Sequence, residues 1–176
     1  MTRFLKIFAA VAVCSPGSPV FADTAERLSS LSRSKFLAEY EARYVDSLKV
    51  QQELLDRLSL ELPADIDTGP VTAAESASFA CIYDAMDALG EIDQLAKQIL
   101  MYERIRDRMN TDPDFDMVTM AFAESEVEGF ADEITDEVFS AMSDCGSVSL
   151  ASSRLNVTGE FWAQLGAVAQ ERGYLD

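Results

Sequence analysis

Histidine is missing altogether from the 176 residues. With it go the commonest general base, the Ser-His and Cys-His dyads, and every metal site built on imidazole. Basic residues are scarce as well: 14 Lys plus Arg stand against 31 Asp plus Glu, a formal net charge of −17. A chain this anionic has no clustered cations to displace counterions from a phosphate backbone, so nucleic acid is not an expected partner. Neither a glycine-rich phosphate loop, a nucleophile elbow nor a zinc signature occurs. Period-2 strand alternation and internal repeats of solenoid length are also missing. No segment approaches the roughly 20 consecutive apolar residues that span a bilayer, so no transmembrane segment is expected.

What remains is a chain with 48% hydrophobic residues, enough to build a core, and of a length that fits one domain. Its first 22 residues read as an export signal. Arg3 and Lys6 form a basic start, Leu5 to Val13 are apolar apart from Lys6, and Pro16, Gly17 and Pro19 break the run before Val20-Phe21-Ala22. Cleavage is expected after Ala22, leaving residues 23–176 as a single all-helical domain in the periplasm or outside the cell. An alternative uses Cys14 as a lipid attachment point, although Val13 is not the small residue that normally precedes a lipidated cysteine. Removing residues 1–22 takes away two basic and no acidic residues, so all the acidity belongs to the exported part. It also leaves Cys81 and Cys145 as the only cysteines, in a compartment that oxidises thiols. One disulfide between them is expected.

Pattern and punctuation then predict an all-α fold, an irregular bundle of four to six helices. Between Asp23 and Leu62 there is no Gly or Pro, and Leu37, Tyr40, Tyr44, Leu48, Leu55, Leu58 and Leu62 recur at helical spacing up to Pro63. The serines at 29, 30, 32 and 34 predict fraying or a separate short piece at the start of this long helix. Thr72-Ala73-Ala74-Glu75 is a capping box opening a helix with Phe79, Ile82, Met86 and Leu89 on one face, and Gly90 stands at its C-cap. Ile92, Leu95, Ile99, Tyr102 and Met109 continue in a third helix, so close behind that the two read alternatively as one bent helix. Asp112-Pro113 predicts a restart, residues 147–157 a loop, and Thr158-Gly159-Glu160 the opening of a last short helix.

The candidate functional residues are carboxylates. Eleven Asp and Glu lie between Arg108 and Arg154 with no Lys or Arg among them. On a helix Glu124, Glu128, Asp132 and Asp136 are four apart and form a ridge that a basic protein surface or divalent cations would recognise, or that simply keeps the protein solvated. Asp112, Asp114 and Asp116 alternate like the opening of a calcium loop, but Met117 stands where such a loop needs Gly and Ala123 where it needs a bidentate Glu. Calcium is therefore the only cofactor the sequence suggests, and weakly.

The apolar stripe of the first helix either packs on its own domain or offers a second interaction surface, toward another protein or a second copy of the chain, because a helix of about 40 residues would reach about 60 Å if unbroken. The expected function is that of an exported, acidic, non-catalytic binding or structural module. A protein responding to calcium through the carboxylates from Asp112 to Glu137 is the first alternative, and a hydrolase using paired carboxylates the second.

Overall fold

The computed structural model describes residues 19–58, 65–122, 135–156 and 158–175. These residues hold eight helices and no strand. In chain order they are α1 Pro19–Ser29, α2 Arg33–Asp56, α3 Ala73–Leu89, α4 Ile92–Thr111, α5 Met117–Phe122, α6 Asp136–Asp144, α7 Ser147–Leu155 and α8 Gly159–Glu171. The all-α class is as the sequence predicts. The helix number among the described residues exceeds the expected four to six: the serines detach a separate short piece, and a helix stands where residues 147–157 were expected to be a loop.

The first cut is the serine cluster. Ser29 and Ser30 donate their hydroxyls to the carbonyls of Glu26 and Arg27, at 2.9 and 2.8 Å, and so satisfy the last turn of α1 from within. Ser32 then takes an extended conformation (φ −61°, ψ 150°) before α2 begins. The separate short piece expected at the serines is thus α1, and the cleavage point after Ala22 falls inside it; residues 59–64 lie outside the described part. The separation of α3 from α4 at Gly90 follows from its left-handed conformation, φ 74° and ψ 24°, which lets its N–H close the helix onto Asp87. That turn leaves Leu89 exposed rather than on the buried face.

The break between α4 and α5 falls where Asp112-Pro113 predicts one, but the restart comes later. Pro113 does not start a helix; Asp112 to Asp116 form a turn, with Phe115 N–H donating to the Asp112 carbonyl at 3.2 Å. Asp116 is the residue that caps α5, its carboxylate accepting from Thr119 N–H at 2.9 Å. Arg57 stabilises the turn from the end of α2, donating to the carbonyls of Met109, Asp112 and Phe115 at 2.9, 3.1 and 3.0 Å. The third difference is α7, in the segment expected to be a loop. Gly146 in the left-handed region (φ 75°) turns the chain into it, and Ser152 and Ser153 bond the carbonyls of Val148 and Ser149. Small serines dilute the apolar period there while their hydroxyls stay satisfied inside the helix.

Two hydrophobic cores result. The first gathers α1, the N-terminal half of α2, α3, the start of α4 and α6 around Leu28, Phe36, Ile82, Met86 and Leu95, all fully buried. The second gathers the C-terminal halves of α2 and α4 with α5 and α8 around Leu54, Ile105, Phe115, Phe161 and Leu165. α2 and α4 pass through both, and Tyr44 packs against both. The buried face of α2 starts at Phe36 instead of Leu37 and includes Ser47 and Gln51. The Cys81–Cys145 disulfide, with Cα atoms 5.7 Å apart, joins α3 to the C-cap of α6.

Candidate functional site

Where the two cores adjoin, the helices leave a cavity of about 560 Å³ that is partly open to the surface. α2 contributes Tyr40, Tyr44 and Leu48, and α4 contributes Gln98, Ile99, Met101 and Tyr102. Phe122 and Met142 come from α5 and α6, Val148 and Leu155 from α7, and Trp162 with Gly159 and Gly166 from α8. An apolar cavity near 150 Å³ takes up one benzene-sized molecule, so this one has room for a ligand several times larger. Its volume falls within the span of small-molecule sites, roughly 300 to 1,000 Å³.

The walls are held from behind. Tyr40 and Tyr44 both contact the Phe79 ring, with centroids 4.7 and 4.9 Å apart. The Tyr44 hydroxyl donates to Glu75 Oε1 at 3.1 Å. Burial pushes the Tyr40 and Tyr102 phenols above the ordinary tyrosine range, and burial with the adjacent Glu75 carboxylate does the same to Tyr44, so all three stay neutral. The hydroxyls of Ser47 and Ser152 are committed to the carbonyls of Tyr44 and Val148 at 2.7 and 2.8 Å. Arg43 brings a cation to the lining but is countered there: it pairs with Glu103 and lies 3.4 Å from Glu39.

Behind Tyr44 is the most heavily bonded ion pair of the described residues. Arg154 of α7, 5% exposed, donates through Nε to Glu75 Oε1 at 2.8 Å and through Nη2 to Glu75 Oε2 at 2.6 Å. Its remaining N–H groups reach the carbonyls of Asp67, Gly69 and Pro70, so one side chain holds the loop before α3. Glu75, 2% exposed, also accepts from Thr72 N–H and Oγ1, each at 2.8 Å, completing the capping box. The box is visible in the sequence. The arginine 79 residues away is not, because nothing local marks it as a partner.

Burial alone would raise the Glu75 carboxyl, but hydrogen bonds from Arg154 and Thr72 outweigh it and hold the group at about 2 against an ordinary 4.5. The folded-state value is depressed, so this stabilisation is fully present above the unfolded value near 4.5 and is lost as pH falls toward 2. Acid melts should therefore show the midpoint dropping through that window, and Glu75→Gln should flatten the drop; an unchanged acid profile in the variant would remove Glu75 from the account.

The sequence-predicted carboxylates are placed elsewhere. Glu124, Glu128 and Asp132 lie outside the described residues, and Asp136 is exposed in the first turn of α6, where negative charge suits the helix N-terminus. Asp112 accepts from Asp114 N–H at 3.1 Å and pairs with Arg108 at 3.5 Å, while Asp116 pairs with Arg172 of α8 at 2.8 Å. Among the described residues no group of three or more Asp, Glu or Cys side chains is gathered around a common point. None of the described helices is long and apolar enough to cross a membrane.

Fold and site together define a disulfide-linked all-α protein with an apolar cavity between two cores. The chain matches no protein-family model, and neither a curated protein nor a solved structure matches it significantly.

Proposed function

We propose that this is an exported, non-catalytic binding protein and that its ligand is a predominantly apolar molecule held in the cavity between α2, α4, α7 and α8. The cavity itself carries the reading: about 560 Å³ faced mainly by aromatic, Met and aliphatic side chains and adjoining both buried cores. Tyr40, Tyr44 and Leu48 of the long helix line this cavity. The commitment of Ser47 and Ser152 to backbone carbonyls favours binding over chemistry. The leader at residues 1–22 and the single disulfide suit export.

A neutral fluorescent probe, N-phenyl-1-naphthylamine, tests this directly. The protein should bind it saturably, and Gly166→Leu should abolish binding, since a Cβ at Gly166 meets nothing within 4 Å and a larger side chain there grows into open space. Replacing a mid-helix glycine also favours the helix by about 1 kcal/mol, so the variant should fold. An absence of saturable binding, or binding indifferent to Gly166→Leu, would contradict the proposal.

A further inference from the structure

We infer that the cavity opens to water between α7 and α8 and takes the apolar chain of a single-chain amphiphile whose polar end stays at that mouth; this rests on the cavity being the binding site. Among the described lining residues, those that are exposed are Ser152 of α7 and Gly159 and Ala163 of α8. None carries a charge or a side chain larger than that of serine. Ala151 and Gly166, half-buried, continue the same two helices along the lining. A Cβ added at Gly159 or Gly166 meets nothing within 4 Å, so the space beside α8 is open. The buried part of the lining is different: Leu48, Met101 and Phe122 come from α2, α4 and α5 and belong to the second core.

This division orients a ligand. A polar group set against Leu48, Met101 and Phe122 gives up its water and gains no partner, whereas the same group beside Ser152, Gly159 and Ala163 keeps its hydration. A wholly apolar molecule would leave its outer end against water at those three residues, and an amphiphile places a solvated group there instead. The small side chains of the mouth also leave room for a head group too bulky to enter.

Trp162 is the only tryptophan of the chain and lines the cavity, so its fluorescence reports occupancy without a label. Titrations with 1-decanol and with decyl maltoside, below its micelle concentration, should give affinities within about threefold of each other, because the disaccharide remains outside. Gly166→Leu should abolish both. Ala163→Phe, which narrows the mouth, should weaken decyl maltoside by more than about tenfold. Ala167→Phe, also exposed on α8 but outside the lining, should leave it unchanged. Binding of decanol without decyl maltoside would overturn the outward head group, and maltoside binding that survives Gly166→Leu would place it outside the cavity. An Ala163→Phe variant as tight as the wild type would overturn the mouth. Failure of both ligands together with N-phenyl-1-naphthylamine would defeat the proposed function as well.

Discussion

Arg154→Met should lower the unfolding free energy by about 3 to 5 kcal/mol, the cost of leaving a buried charge without its partner. Urea denaturation at pH 7 measures it. Glu75 would keep its ionised carboxylate at 2% exposure, and the carbonyls of Asp67, Gly69 and Pro70 would lose their donors at the same time. Lysine is no remedy, because one ammonium cannot reproduce a fork that bonds both carboxylate oxygens and three carbonyls. Arg154→Lys should therefore lose most of the same stability. The pairing of Arg154→Met with Glu75→Leu should recover part of it, since removing both charges takes away the uncompensated ion. Strictly additive losses in the double variant would show that the two side chains act separately.

Replacing both Cys81 and Cys145 with serine should cost about 4 kcal/mol in the chain-entropy account of a cross-link closing a loop of this length, 64 residues apart in sequence. For a chain of this size that corresponds to roughly 10 to 15 °C in the melting midpoint. Melts of the wild type with and without dithiothreitol should reproduce the same displacement. The disulfide joins α3 to the end of α6, within one of the two cores, so the other core and α8 should keep their packing in the reduced protein. A reduced wild type as stable as the oxidised one would mean that the cross-link restrains nothing the denatured chain would otherwise explore.

Features written in local chemistry could be read from the sequence. The Thr72–Glu75 box, the Gly90 cap, the Thr158 cap accepting from Phe161 N–H, and the pairing of Cys81 with Cys145 all depend on neighbours a few residues away or on simple elimination. The serine break before α2 announced itself as an option for the same reason. What the sequence concealed is tertiary. α7 has too few apolar residues for a helical period and is a helix because Gly146 turns into it and its neighbours bury Leu155. Asp112 looked like a cap and Asp116 a ligand, whereas Arg57 and Arg172 redirect the whole turn from elements far away in sequence. The cavity was invisible because its walls come from six helices, and a Tyr or Leu facing a void has the same period as one facing a neighbour.

Glu75 joins two scales of organisation in one carboxylate: it closes the first turn of its own helix and grips a guanidinium from the far end of the chain. Nucleation of α3 and docking of α7 are therefore not independent events. The opening turn of α3 should fray only when the C-terminal region lets go, making this pair of distant segments a single cooperative foldon, with Tyr44 carrying its state to the wall of the cavity.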